Sequence, residues 1–263
     1  MYEVKIIKHS ISEAGKEIIT FECTYPRYIH AEVMTHRRLS KNSSSSRAIP
    51  VEKMIQDVKE NPVGFVFWGK NKRGMSAKEE LKGNRLWAAK LIWNSMAKIS
   101  CYAATLLTKI GLHKQNVNRL LEPYSRIKVV MTGTDWNNFF HLRDHKDAQP
   151  EIRHLAVIMR NLKRKSKPQL LKKGEWHLPY VDSKEEKDLK LSTSLCAQVS
   201  FRTLDDDCGK TERIWNTLVV NEPVHASPTE HQATPLEDPT EANGNFFGWL
   251  QHRSIIKNNV KLG

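Results

Sequence analysis

A chain of 263 residues buries an ample core, so neither disulfides nor a structural metal is needed to hold it together. Cys23, Cys101, Cys196 and Cys208 are widely spread with no paired spacing, which excludes a secreted disulfide framework and fits a reducing cytoplasm. No apolar run reaches about eighteen residues, which excludes a membrane span, and a net charge of +13 with an isoelectric point near 9.6 points to an anionic partner, nucleic acid or a smaller polyanion.

Taken in order, residues Glu3 to His9 and Glu17 to Tyr25 alternate apolar and polar around a Ser/Gly turn and predict a β-hairpin. A helix opened by Pro26 follows through Val33, and Pro50 starts another that runs to Glu60. Residues Pro62 to Arg73 read as a loop. From Asn84 to Ile110 apolar residues recur at helical spacing, giving roughly 40 Å of helix whose stripe is expected in the core. Helices are expected over His113 to Leu121, Trp136 to Arg143, Pro150 to Lys163, Leu191 to Phe201 and Thr211 to Val220, with a strand over Arg126 to Thr132. The basic run Arg160 to Lys173 is expected to be a solvated helix face. A Pro/Gly/Asn-rich tail spans Glu237 to Asn245, after which Phe246 to Ile256 returns to an apolar pattern.

Residues 35–47 concentrate three arginines, a histidine and five serines. Guanidinium forks match phosphate oxygens, and short hydroxyl or amide side chains with free N–H groups fill the remaining acceptor sites. That pattern describes a nucleotide-phosphate site. Composition alone also admits a flexible Ser/Lys loop, but the helix before it puts His36 and Arg37 at a helix end.

The spacing of His36, Arg37, Ser40, Asn42, Ser45 and Arg47 resembles the signature of flavin-dependent thymidylate synthases, Arg-His-Arg followed by Ser, Asn, Ser and Arg. Thr35 stands where the family has its first Arg, Ser43 where it usually has Glu, and no Tyr follows Arg47. The segments Trp136 to Arg143 and Ala148 to Arg153 resemble a second family block, in which an Asn meets the flavin and an Arg the pyrimidine, here Asn138 and Arg143. Their separation of one turn plus a residue lets a helix end present an amide and a guanidinium together. Arg143 paired only with Asp144 or Glu151 is the alternative. Residues Asn118 to Pro123 resemble the Ala-Arg-x-x-Leu-Pro segment, which carries a nucleotide contact to Arg119.

Two further blocks, Cys196 to Phe201 and His225 to His231, resemble Ala-Arg-Val-Ser-Tyr and His-x-Thr-Pro-x-Glu-His, which precede the Arg-His-Arg block in ordinary members. The chain thus looks circularly permuted, which a fold tolerates when native termini lie close together. Residues 17–24 are then expected beside the end of segment 225–233, with Ser200, His225 and Ser227 converging on His36 and Arg37. The resemblance implies an α+β, flavin-dependent thymidylate synthase-like fold with a central antiparallel sheet flanked by long helices. It forms a single domain over 1–263, with a helical insert at 50–112 and a tail at 234–263 that carry no family signal.

It also implies the chemistry. Deoxyuridine monophosphate (dUMP) is methylated at C5 to dTMP, with FAD as cofactor and NADPH and 5,10-methylenetetrahydrofolate as co-substrates, in a homotetramer with shared sites. Arg143 is the expected catalytic residue, beside the base. Ser45, Ser46, Arg47 and Arg119 bind the phosphate, and Glu32 stands where the family tends to have Gln near the substrate. Thr35, His36, Arg37, Asn138, Ser200, His225 and Ser227 border the flavin or its co-substrates. A carboxylate at Glu32 is repulsive to phosphate or a uracil carbonyl unless it pairs with Arg47 or Arg143, which leaves dCMP or hydroxymethyl transfer as a near alternative. A basic nucleic-acid-binding protein is the distant one. Cys196, Cys208, His225 and His231 lack zinc-knuckle spacing, and no Walker or Gly-x-Gly-x-x-Gly loop is present, so no metal is expected.

Overall fold

Period-two alternation builds the first two strands. In the computed structural model, which describes residues 2–257, β1 (Glu3–Ser12) and β2 (Glu17–Pro26) pair antiparallel around a turn in which Gly15 adopts a φ of 77°. A 3-10 turn over Arg27–Ile29 leads into α1 (His30–Met34), shorter than the helix expected to begin at Pro26. Residues 40–43 are not loop but β3 (Ser40–Ser43), paired antiparallel with β4 (Arg126–Gly133). Ser40, Asn42, Ser44 and Ser46 are buried, so a freely solvated Ser/Lys loop is excluded.

Pro50 precedes α2 (Val51–Glu60), and α3 (Gly83–Lys109) follows a long connection. Past α4 (Lys114–Val117) the chain tightens into a 3-10 stretch over Asn118–Tyr124 instead of continuing the helix expected to Leu121. Pro123 lies inside that stretch, where its missing N–H and fixed φ favour the tighter winding. Two helices, α5 (Asn137–Arg143) and α6 (Pro150–Lys165), come next. The basic run then yields a strand, β5 (Gln169–Leu171), paired parallel with β1. Its helical part is partly neutralised, with Arg160 2.5 Å from Asp144 and Lys163 paired with Glu17. The C-terminal third holds α7 (Leu189–Gln198), α8 (Cys208–Trp215), β6 (Ala233–Pro235), the small hairpin β7 (Ala242–Asn243) and β8 (Phe246–Phe247), β9 (Trp249–Gln251) paired with β6, and α9 (His252–Ile255). The end of the expected tail, 258–263, lies outside the described residues.

The main sheet has the order β3-β4-β2-β1-β5, antiparallel except at the β1/β5 edge. Because side chains alternate across a strand, its two faces differ. Ile19, Phe21, Cys23 and Tyr25 of β2 with Ile127, Val129 and Met131 of β4 form the apolar face. Val33, Phe139, Ile152, Leu155 and Met159 of α1, α5 and α6 cover it. The even-numbered residues Thr20, Glu22 and Thr132 face the C-terminal third and hydrogen-bond to His177, Tyr180 and His231 of it, respectively.

The long helix departs from expectation. Only Ala97, Cys101 and Ala104 of α3 are buried, against α2, whereas Trp87, Ile92, Met96, Ile99 and Tyr102 are exposed, Ile92 by 64%. Helical periodicity reports that a face is apolar, not what covers it. Among the described residues no helix is long and apolar enough to cross a membrane.

Candidate functional site

The centre is a contact between segments more than a hundred residues apart. Arg143, at the last turn of α5, donates from Nε to His36 Nε2 at 2.8 Å and from Nη2 to Thr35 Oγ1 at 3.1 Å. Its Nη1 lies 3.8 Å from Glu32 Oε2. Arg143 therefore pairs with neither Asp144, which is held by Arg160, nor Glu151, whose carboxylate accepts from the Val66 N–H at 2.9 Å. Packing sets the geometry, because the His36 ring meets Phe139 of α5 edge-on at 4.9 Å over the apolar face of the sheet.

Electrostatics follow from that placement. An imidazole that accepts from a guanidinium must be neutral at that nitrogen; burial, then Arg143 and Lys41, pull His36 down to about 4. Burial raises Glu32 against the opposing pull of Arg143. Thr35 donates to the Glu32 carbonyl at 2.6 Å while accepting from Arg143. An arginine at this position would set a second cation against the first, so Thr35 and the inward reach of Arg143 are mutually consistent.

Ser45, Ser46 and Arg47 follow β3 in a turn against which two other predicted segments dock. Asn118 donates to the carbonyls of Ser46 and Ile49 at 2.7 and 3.0 Å, docking the segment of Arg119 onto the turn of Ser45, Ser46 and Arg47. Arg47 is exposed, whereas Arg119 is tied to Glu122 at 2.9 Å. The Ser45 N–H donates to the Ser200 carbonyl at 3.1 Å, and Ser200 Oγ donates to the Ser43 carbonyl at 3.5 Å. Ser227 opens a 3-10 turn over Ser227–Glu230 that packs on β3, with Ser227 and His225 both exposed. Asn138 is exposed on α5. Ser200 thus meets β3 and its turn, and the 3-10 turn opened by Ser227 packs on β3, whereas the His225 N–H donates to the Leu218 carbonyl; no hydrogen bond joins the side chains of Ser200, His225 or Ser227 to His36 or Arg37 among the described residues.

A buried relay pins segment 225–233 to the sheet. Ser10 Oγ meets His177 Nδ1 at 2.9 Å, His177 Nε2 meets Thr20 Oγ1 at 2.8 Å, Thr20 meets Thr132 at 2.7 Å, and Thr132 meets His231 Nδ1 at 2.9 Å. All five residues are fully buried, and burial pulls His231 down to about 3. Ile18 and Ala233 share one apolar cluster, which places residues 17–24 beside the end of segment 225–233.

Sequence reasoning passed over Asn118, Thr20, His177 and Lys41. Lys41 sits between Ser40 and Asn42 and donates to the carbonyls of His36 and Leu39 at 2.5 and 2.6 Å. Its only signal was a cation at an unspecified position of the motif. Arg38 lies over the Phe247 ring at 4.4 Å. Cys23, Cys101 and Cys196 are buried and Cys208 exposed, all as free thiols. Among the described residues no group of three or more His, Cys, Asp and Glu side chains gathers to hold a metal.

Comparison with known proteins sets this geometry in context. Residues 8–169 match the family described as thymidylate synthase complementing protein. A search of curated proteins gives no match. The fold is similar to the crystal structure of a UMP/dUMP methylase, PolB, from Streptomyces cacaoi bound with 5-Br UMP, at 14% identity over 63% of this chain and 89% of that one, TM-score 0.50. The same methylase bound with 5-Br dUMP aligns at 13% identity over 63% and 91%, TM-score 0.49. The family match spans both segments that meet at Arg143, and the chain belongs to the thymidylate synthase complementing protein family.

Proposed function

We propose that this chain methylates a pyrimidine nucleotide at C5, converting dUMP to dTMP with reduced FAD, NADPH and 5,10-methylenetetrahydrofolate. The observation that carries the reading is the Arg143 fork, held by Thr35 and His36 at the junction of two motif blocks. The similar methylase was solved with a brominated uridine nucleotide, which supports a uracil base.

Arg143 is assigned to the base. Two of its nitrogens are fixed by neutral acceptors, so the guanidinium is pre-oriented toward negative charge that develops on the pyrimidine as C5 becomes nucleophilic, with the Glu32 carboxylate 3.8 Å from its third nitrogen. Pre-positioned charge of this kind supplies about 3 kcal/mol of barrier lowering. Ser45, Ser46, Arg47 and Arg119 are assigned to the nucleotide phosphate, and Thr35, His36, Arg37, Asn138, Ser200, His225 and Ser227 to the flavin and its co-substrates. The donor set fits a flavin dinucleotide: exposed Arg37 for its diphosphate, and the Asn138 amide and Ser200 hydroxyl for ring edges. When bound, reduced flavin supplies the hydride that turns the transferred one-carbon unit into a methyl group.

Two structural expectations belong to the same reading. The contacts Thr132 to His231 and Ile18 with Ala233 support a permuted order of family segments within one domain. The exposed apolar face of α3, with Asn138, His225 and Ser227 open on the protomer, supports a homotetramer whose subunits complete one another's sites.

The test is direct. Purified protein should be yellow and release FAD on denaturation, and should turn over dUMP with NADPH and methylenetetrahydrofolate; a colourless protein inert on every pyrimidine monophosphate refutes the reading. Glu32 beside Arg143 favours one variant of it, in which the substrate is dCMP, whose amino group donates to a carboxylate. Faster turnover of dCMP than dUMP decides for that variant.

A further inference from the structure

Thr35 leaves the motif one cation short, and a cation no motif position specifies stands six residues away. The geometry points to Lys41 as an anion-binding residue of this site, its ammonium holding a phosphate oxygen of the bound nucleotide or dinucleotide. The identity of that ligand rests on the function proposed above; the role of the ammonium does not.

Two of the three Lys41 N–H groups go to the His36 and Leu39 carbonyls, which clamp the ammonium onto the turn that presents His36 and Arg37. The third has no acceptor among the described residues. Nor does a carboxylate pair with it: Glu230, the acid whose charge acts on Lys41, is ion-paired with Arg253, and among the described residues no acidic group lies within ion-pair distance. A partly buried, uncompensated ammonium costs folding free energy and becomes favourable once an anion arrives.

The surrounding groups agree. His36 and His30 from the α1 side are both lowered by burial and carry no compensating negative charge, and Arg143 adds a further cation beyond His36. On the other side, His231 is fully buried, feels the Lys41 charge, and has no partner for Nε2. Arg38, the nearer candidate for the charge lost at Thr35, is engaged with Phe247. Burial brings the ammonium down to about 8, so it loses its charge within an accessible pH range.

Two phosphate sources share this chemistry, the flavin diphosphate and the nucleotide monophosphate, and calorimetric titration of the full chain separates them. Inorganic pyrophosphate, dUMP and FAD are each titrated into wild type, Lys41→Met, Lys41→Gln and Lys41→Arg. Lys41→Gln retains N–H donors for the two carbonyls but no charge, separating the clamp from the cation. The expected result is a loss of about ten- to a hundredfold for pyrophosphate and for one nucleotide in both neutral variants. Which nucleotide loses affinity names the source. Wild-type affinity should fall between pH 7 and pH 9, and Lys41→Arg should remove that fall, which a purely structural lysine would not produce.

Unchanged binding of all three ligands in Lys41→Met and Lys41→Gln overturns the assignment, as does a pH-dependent fall that survives in Lys41→Arg. Pyrophosphate binding that needs Lys41, with no binding of FAD or dUMP, upholds Lys41 and refutes the nucleotide reading. FAD and dUMP bound equally by wild type and Lys41→Met refute Lys41 alone.

Discussion

Replacing Thr132 by Val tests the buried relay with almost no change of shape. The hydroxyl bridges Thr20 at 2.7 Å and His231 Nδ1 at 2.9 Å, and all three residues are fully buried. Removing it leaves Thr20 with His177 as a partner, but strips the His231 side chain of its only hydrogen bond among the described residues, because Nε2 is already unpartnered. A buried polar group left unmade costs about 1–3 kcal/mol, and the lost hydroxyl contact to Thr20 adds about 1 kcal/mol, so Thr132→Val should lose about 2–4 kcal/mol. For a chain of this size each kcal/mol is worth roughly 2–4 °C of melting temperature, giving a fall of roughly 4–16 °C by calorimetry. Thr132→Ser keeps the oxygen and should lose about 1 kcal/mol, the cost of one methyl group. Thr20→Val combined with Thr132→Val should cost less than the sum of the single changes, since the two hydroxyls share a hydrogen bond. A Thr132→Val protein within about 0.5 kcal/mol of wild type would refute the view that this relay holds segment 225–233 on the sheet.

Protonation should break the same relay. His177 and His231 are held neutral by burial, with the folded value of His231 near 3 against an unfolded value of about 6.5, so below that pH the unfolded chain binds more protons and stability falls. Denaturant titrations should therefore show full stability above about pH 7 and a progressive loss between about 6.5 and 3; a flat profile refutes neutral histidines. Arg143→Ala should lower turnover about 10²–10³-fold with the fold intact by circular dichroism, and Arg143→Lys should not restore it, because an ammonium cannot hold Thr35 and His36 together as a fork does. Glu32→Gln removes the carboxylate 3.8 Å from Arg143 and should tighten dUMP binding about fivefold in calorimetry, the worth of a half-exposed pair of about 1 kcal/mol. Weaker binding would show that Glu32 itself touches the nucleotide. Ile99→Lys with Tyr102→Lys should convert a tetramer to smaller species by light scattering while leaving the monomer's melting little changed, since both residues are exposed on α3; an unchanged mass refutes the α3 interface.

Local chemistry carried much of this protein into its linear order. The alternation in β1 and β2, Pro50 before α2 and the apolar period of α3 each depend on neighbouring residues, and each is visible in the chain. So are the motif residues themselves, His36, Arg37 and Arg143, because phosphate and ring recognition restrict side-chain type and short spacing. Tertiary structure alone decided the rest. Ser40–Ser43 has polar side chains that name no strand, and becomes one because β4 offers an open ladder. Residues 169–171 become a strand for the same reason beside β1. The α3 stripe is apolar in any reading, but whether it is covered depends on which elements pack on it, and α2 reaches only its small residues. Arg143 had Asp144 and Glu151 close in sequence and pairs instead across 107 residues with His36, while Asp144 is ion-paired with Arg160 and Glu151 accepts from the Val66 N–H. Side-chain type and spacing are properties of the chain, whereas the choice among competing partners is made by the packing that brings them together.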